Sequence, residues 1–273
     1  MKSTLKSIIP PIFISGYRKI FPKKEKVGMW SGNYTSWEEA QANCTGYDAA
    51  NILEKCKNAL LKVKNGEAAY ERDSVLFDQI QYSWGLLAGL QKAAIEDNNS
   101  LCILDFGGSL GSTYYQNKTF LSSLKKLEWC IIEQTHFVDC GKENFENEQL
   151  KFYNSIEECL QKHKPNVLLL SSVLQYLEKP NQWMEQFNDL EIDYIIIDRT
   201  AFIQAENDIL TIQNVPESIY KANYPAWFFN QQKLIKKFTN FTLVAEIDAS
   251  FTGDALIQNK KAKWTGMILK KKA

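Results

Sequence analysis

Neither sign of charge is in excess in this chain: Lys plus Arg and Asp plus Glu number 32 each among 273 residues. A balanced chain exerts no long-range attraction on a polyanion, so nucleic-acid steering is excluded as an average property. A long apolar run is also missing. The N-terminal stretch from Ile8 to Ile14 is broken by Pro10 and Pro11 and falls far short of the roughly 20 residues a transmembrane helix needs. Cysteine is present without pattern: positions 44, 56, 102, 130, 140 and 159 contain no close pair of the kind a zinc site or a dithiol motif uses. They are expected to be free, buried thiols of a reducing compartment, which predicts a cytoplasmic protein with no metal. Internal repeats and low-complexity tracts are absent as well.

What is there divides into three segments. Residues 1 to 29 form an arm in which Lys2, Lys6, Arg18, Lys19, Lys23, Lys24 and Lys26 surround Ile12, Phe13, Ile20 and Phe21. Such a composition suits packing on the domain or on a partner, or weak peripheral contact with an anionic membrane. Residues 30 to 98 have helical character. Ser36 is placed to cap a helix that opens at Trp37, Asn65-Gly66 is a break, and Ser74 to Ala94 is expected to be helical.

From residue 99 to 273 the pattern changes to short apolar runs. Leu101 to Leu104, Trp129 to Ile132, Val167 to Leu170 and Tyr194 to Ile197 are continuous rather than alternating, as parallel strands covered on both faces should be. Two further runs, Phe241 to Ile247 and Trp264 to Leu269, follow. Helices are expected at about 112 to 125, 155 to 163, 181 to 189 and 228 to 238. The succession predicts an α/β fold with a doubly wound, Rossmann-like sheet and an N-terminal helical extension or cap.

In such sheets the ligand lies at the carboxyl ends of the strands, where the first strand feeds a glycine-rich turn. Here that segment is Asp105-Phe106-Gly107-Gly108-Ser109-Leu110-Gly111. Gly107 and Gly108 let the backbone turn tightly beside a ligand, and Gly111 lets the next helix approach the sheet. The spacing is D-x-G-x-x-x-G rather than the G-x-G-x-x-G of dinucleotide sites; it resembles the first motif of Rossmann-like methyltransferases, which surrounds the amino-acid end of S-adenosylmethionine. A turn without a ligand is the bland alternative. Glu133 ends the second strand, where a carboxylate can accept two hydrogen bonds from a ribose diol.

Two more segments carry this likeness. In the methyltransferase pattern an acid after the third strand meets the adenine; here the position holds Tyr153-Asn154, so Asn154 is the candidate, with helix capping as its alternative role. The fourth strand continues as Ser171-Ser172-Val173-Leu174-Gln175-Tyr176 before Pro180, which resembles the turn that borders the transferring methyl in small-molecule methyltransferases. That places Ser172 at the cofactor and Tyr176 beside the acceptor.

Over residues 30 to 200 the chain resembles a bacterial methyltransferase family associated with surface-polysaccharide or lipopolysaccharide gene clusters. The resemblance is carried by Trp30-Ser31-Gly32-Asn33-Tyr34-Thr35-Ser36-Trp37-Glu38-Glu39-Ala40, Gly46-Tyr47-Asp48, Tyr70-Glu71-Arg72-Asp73, the Asp105 to Gly111 loop and Asp198-Arg199-Thr200. It implies S-adenosylmethionine as cofactor and O-methylation of a small-molecule or saccharide acceptor in glycan biosynthesis. Tyr34, Tyr47, Asp48, Glu71, Arg72, Asp73 and Arg199 are candidates for contacting that acceptor, although Glu71-Arg72-Asp73 would serve equally as an ion-pair network.

A hydroxyl acceptor needs a group to take its proton. Asp198, at the end of the fifth strand, is the first candidate; His136 is the second, and Tyr176 is an orienting group. The competing functions are a nicotinamide-dependent oxidoreductase, which the loop spacing disfavours, and a noncatalytic nucleotide-binding or scaffold protein of a glycan assembly system.

Overall fold

The computed structural model of the protein describes residues 29–44, 49–216, 222–248 and 254–273. The basic arm and the Gly46-Tyr47-Asp48 segment lie outside the described residues, so the membrane-contact expectation and the role of Tyr47 lie there too. Among the described residues no helix is long and apolar enough to cross a membrane.

Seven strands make the path of the main sheet: β4 (Ser100–Phe106), β5 (Lys126–Ile132), β6 (Leu150–Tyr153), β7 (Val167–Ser171), β8 (Tyr194–Ile203), β11 (Phe241–Asp248) and β13 (Lys260–Lys271). Their order is β11-β13-β8-β7-β4-β5-β6, with short β12 (Asp254–Ile257) beside β13. The pairs from β6 to β8 are parallel, whereas β13 runs antiparallel to both β8 and β11. The chain leaves β4 toward β5 on one side and returns to β7 on the other, so β4 is the switch point at which a doubly wound sheet opens a crevice.

The continuous apolar runs have a direct reading in the packing. Successive strand residues point to opposite faces, so Leu101, Ile103, Trp129, Ile131, Leu169 and Ile196 enter one core. Cys102, Leu104, Cys130, Ile132, Leu168 and Ile195 enter the other. The first core is closed by α2 (Ala49–Lys64), α3 (Trp84–Glu96), α4 (Ser112–Leu121) and α5 (Thr135–Asn144). The second is closed by α6 (Ile156–Leu160), α7 (Pro180–Asn188) and α8 (Gln231–Ile235). Ser36 caps α1 (Trp37–Ala42) by accepting from the Glu39 amide at 3.2 Å, and Gly66 follows α2 with φ +79°.

Three features differ from the expectation. Residues 74 to 83 are not helical: β2 (Tyr70–Arg72) and β3 (Val75–Phe77) form a hairpin turned by Asp73 and Ser74 at positive φ, and the helix begins at Trp84. The helix expected from 228 to 238 is confined to Gln231–Ile235, because Phe228 still belongs to a strand. That strand, β10 (Asn223–Phe228), joins β9 (Ile209–Asn214) and β1 (Trp30–Tyr34) in a separate three-stranded antiparallel sheet. The N-terminal segment is therefore tied by β1 to a meander after the fifth main strand, as well as by helices to the first core.

Candidate functional site

The glycine loop occupies the crevice at β4. The Gly107 amide donates to the Ile132 carbonyl at 2.9 Å, joining the loop to the end of β5. Gly107 has φ +72°, and a Cβ there would stand 2.4 Å from Val173 Cγ2; at Gly108 it would stand 2.6 Å from the Asp105 carboxyl group. Both positions exclude a side chain. Gly111, at φ +104°, is the cap residue of α4 and packs toward Ile131 and Leu150.

Two cavities meet over this loop. The larger, about 980 Å³, is lined by Gly107, Ser109, Ile132, Glu133, Gln134, Phe137, Asn154 and Ile156. Aromatic side chains from other elements complete the wall: Trp37, Tyr176 and Tyr224, and Trp183, which packs on Phe106 with ring centres 4.7 Å apart. The smaller, about 290 Å³, is lined by Tyr70, Glu71, Arg72, Asp73, Asp105, Gly108, Ser112, Ser171 and Arg199. Cys56, Asp73, Gly107, Ser109, Ser172, Tyr176 and Tyr224 belong to both walls, which makes the two one connected space.

Within the larger cavity Glu133 is held by the backbone. Its Oε1 accepts from the Ser109 amide at 3.2 Å and its Oε2 from the Gln134 amide at 2.8 Å. A carboxylate has about four acceptor directions, so capacity remains for a ligand. Burial raises its pKa, and the two amides work against that rise. Asn154 is not the helix cap: Ser155 takes that place by accepting from the Glu158 amide at 3.1 Å, leaving the Asn154 side chain on the cavity wall.

The smaller cavity is rich in acid. Burial pushes Asp105 up to about 7, with Glu133 adding to the rise. Burial and the neighbouring Asp73 push Glu71 up to about 7. Glu71 accepts from the Ser112 hydroxyl at the start of α4 and from the Ser74 amide at 3.1 Å, which docks the β2–β3 hairpin onto the glycine-loop helix. Arg199 is the counterweight. Burial opposes its charge, yet Asp198 and then Asp73 hold the guanidinium above its ordinary value. Arg72 lies with its guanidinium carbon 5.2 Å from the Phe77 ring centre.

The sequence-derived candidates separate clearly. Asp105, Gly107, Gly108, Glu133, Asn154, Ser172, Tyr176, Glu71, Arg72, Asp73 and Arg199 come together on the walls. Asp198 does not line either cavity. Its carboxylate is 2 % exposed and accepts from Ser83 Oγ at 2.9 Å and Ser171 Oγ at 3.0 Å, with Arg199 Nε at 3.3 Å. His136 sits in the first turn of α5, off both walls. Tyr34 ends β1, packs with Ala40, Leu210 and Ile212, and lines neither cavity. Tyr176 stands at the junction, its hydroxyl 2.8 Å from Gln213 Oε1 and its ring centre 5.3 Å from that of Tyr224.

Sequence reasoning missed Trp37, Cys56, Trp183 and Tyr224 as wall residues. In the sequence Trp37 reads as a helix position and as part of the segment that carries the resemblance, and Tyr224 belongs to the unforeseen β10. Cys56 is no nucleophile here, since burial first and nearby carboxylates second push its thiol up to about 12.

No family model matches the chain, and no curated protein matches it. Among solved structures, the N-terminal domain of EvdMO1 in the presence of SAH and D-fucose is 10% identical, with 83% of this chain and 98% of that one covered at a TM-score of 0.48. An S-adenosylmethionine-dependent methyltransferase from Clostridium acetobutylicum is 9% identical over 71% and 93%, with a TM-score of 0.43. CalS10, an amino pentose methyltransferase from Micromonospora echinaspora, is 8% identical over 70% and 92%, with a TM-score of 0.41. Identity and overlap this low leave the reactions and substrates of those proteins their own.

Proposed function

We propose that this chain is an S-adenosylmethionine-dependent methyltransferase whose acceptor is a small polar molecule, in the first place a saccharide methylated at oxygen. One juxtaposition supports it: a ribose-type acceptor, Glu133, stands in the larger cavity, and it adjoins a smaller cavity that holds both acids, Glu71, Asp73 and Asp105, and bases, Arg72 and Arg199. A ligand with a nucleoside at one end and a cationic amino acid at the other satisfies both parts. A nicotinamide dinucleotide would bring its anionic pyrophosphate against Asp73 and the partly ionised Glu71 and Asp105, which counts against the oxidoreductase alternative.

When bound, S-adenosylmethionine supplies an electrophilic methyl group on a cationic sulfonium. Glu133 would accept from the ribose hydroxyls, and Asn154 with Phe137 and Ile156 would border the base. Asp105 and Glu71 would attract the ammonium group and Arg199 the carboxylate. The closeness of the Gly107 and Gly108 backbone, which a Cβ would fill, is the steric side of the same fit.

The aromatic part of the wall suits the acceptor. Trp37, Tyr176 and Tyr224 offer flat apolar faces beside the polar Gln41, Asn223 and Asp73, the mixture that a saccharide ring with its hydroxyls matches. Together with the sequence resemblance this supports a role in surface-glycan biosynthesis, with residues 30 to 98 supplying part of the acceptor wall on the 99 to 273 cofactor domain. Of the three proton-handling candidates only Tyr176 faces both cavities, so it is assigned to orient the acceptor hydroxyl. Asp198 is assigned to hold Arg199 in place, and His136 is given no role.

The test is transfer of a labelled methyl group from S-adenosylmethionine into fractionated saccharide and nucleotide-sugar extracts, compared with a folded Gly107→Val variant. Label entering a small-molecule fraction only with the parent protein supports the proposal. Binding without transfer to any fraction would favour the scaffold alternative.

A further inference from the structure

Off both cavity walls, in the second core, two thiols and an imidazole converge, with a third thiol in the same core. Cys102 comes from β4 and Cys130 from β5, where Cys102 pairs in register with Glu128 and Leu104 with Cys130. The two cysteines therefore point to the same face of neighbouring strands. Across from them, α6 carries Cys159, and the His163 amide donates to the Cys159 carbonyl at 2.9 Å, one helical turn on. The ligand atoms of Cys102, Cys130 and His163 all lie within 4.8 Å of one another. Cys159, wholly buried, belongs to the same core cluster as Cys102 and Cys130 and is the nearest further candidate for a ligand, outside that group of three.

His163 is held on both ring nitrogens. Nδ1 is 3.0 Å from Glu128 Oε1 and Nε2 is 2.7 Å from the Tyr153 hydroxyl. A carboxylate on one imidazole nitrogen fixes the ring and makes the other a better donor, the usual arrangement behind a metal-bound histidine. Cys130 and Cys159 are fully buried, whereas the His163 side chain is 12 % exposed, so the cluster opens to solvent on one side. Packing alone asks only for apolar volume here, which the surrounding leucines and isoleucines already supply without thiols or a ring.

We infer that Cys102, Cys130, Cys159 and His163 form a four-coordinate site for a soft divalent cation, zinc before others, which pins α6 to β4 and β5. Thiolate and imidazole donors select such ions over magnesium or calcium. Four protein ligands leave no open position, so the site is structural rather than catalytic. Binding releases the three thiol protons and takes the imidazole as a neutral donor, its Nε2 exchanging the Tyr153 hydroxyl for the metal. The resulting single negative charge lies near Lys126, which pairs with Glu128 at 2.6 Å, and Lys162, which sits 5.1 Å from the Tyr153 ring centre. Because Asn154, Ser155 and Ile156 lead into α6 and line the larger cavity, the cation would also steady that wall. The inference is independent of what the cavity binds.

The test is titration of the reduced, full-length, untagged protein with cobalt(II), followed by zinc, alongside His163→Gln and Cys159→Ala. Both variants keep the strands intact, and circular dichroism checks that they fold. The expected result is a thiolate-to-cobalt charge-transfer band with tetrahedral d–d bands, saturating at one equivalent and bleached by zinc. Each variant should weaken cobalt binding at least tenfold. Absence of the bands in the parent protein, or bands unchanged in both folded variants, would overturn the inference.

Discussion

The Trp129 indole nitrogen donates a 2.8 Å hydrogen bond to the Asp105 carboxylate from the neighbouring parallel strand, where Asp105 is 1 % exposed. One donor does not offset the burial, and the carboxyl group stays up at about 7 against an ordinary 3.8. The folded protein thus holds a proton there that the unfolded chain sheds as pH rises through that interval. A raised carboxyl value contributes stability that is present below the unfolded value and lost as pH climbs to the folded one. The thermal midpoint of the ligand-free protein is expected to fall between pH 4 and about 7, with Glu71 acting in the same direction. Asp105→Asn should flatten the slope; an unaltered slope in a folded variant would contradict this.

The same two carboxyl groups give binding a pH dependence of opposite sense. They attract a cation only when ionised, so affinity for S-adenosylmethionine should tighten as pH rises toward and past about 7. For each group that must ionise, the gain is about tenfold per pH unit below its value. S-adenosylhomocysteine, which carries the same ammonium group, should show the same dependence on pH. Calorimetric titration across pH checks this, and an affinity that does not change with pH for either ligand would speak against an acidic site for the ammonium group.

Asp198 and Arg199 should behave as a structural couple. Asp198→Asn keeps hydrogen-bonding atoms for Ser83 and Ser171 but takes the nearer of two carboxylates from the largely buried Arg199 guanidinium, leaving Asp73, a loss of about 3 kcal/mol in stability. Turnover per folded molecule should fall through a higher KM for S-adenosylmethionine, since Arg199 loses its anchor, and Arg199→Ala should reproduce that. A kcat loss of roughly 100-fold with unchanged KM would instead identify Asp198 as a proton acceptor.

On the acceptor side, Trp37→Ala and Tyr224→Ala each remove an aromatic face from the wall. Both should raise acceptor KM about tenfold while leaving cofactor affinity within a factor of two. Steady-state kinetics with the acceptor found by labelled transfer makes the comparison. A change confined to cofactor binding would move the acceptor elsewhere.

The central strands were legible because parallel strands buried on both faces must be apolar at successive positions, as Val167 to Leu170 and Tyr194 to Ile197 are. The glycine loop and Glu133 were legible because turn geometry and strand-end position are local properties. The hairpin at Tyr70 to Phe77 was not, since two non-glycine residues at positive φ, Asp73 and Ser74, carry no strong sequence mark. Neither was the β1-β9-β10 sheet, whose strands pair across most of the chain and which supplies Tyr224 to the site. The burial of Asp198 behind Arg199 depends on Ser83, 115 positions away, and the convergence of Cys102, Cys130 and His163 likewise joins distant segments. Such contacts have no local signature.

The cofactor assignment is tested most directly by calorimetric binding of S-adenosylmethionine and NAD to the parent protein, with Gly107→Val and Glu133→Ala as controls. S-adenosylmethionine should bind at least tenfold more tightly than NAD. Each variant should lose about 1.4 kcal/mol or more of that binding, the equivalent of tenfold: Gly107→Val because its Cβ would stand 2.4 Å from Val173 Cγ2, and Glu133→Ala because the ribose hydroxyls lose their acceptor. NAD binding as tight as or tighter than S-adenosylmethionine would contradict the assignment.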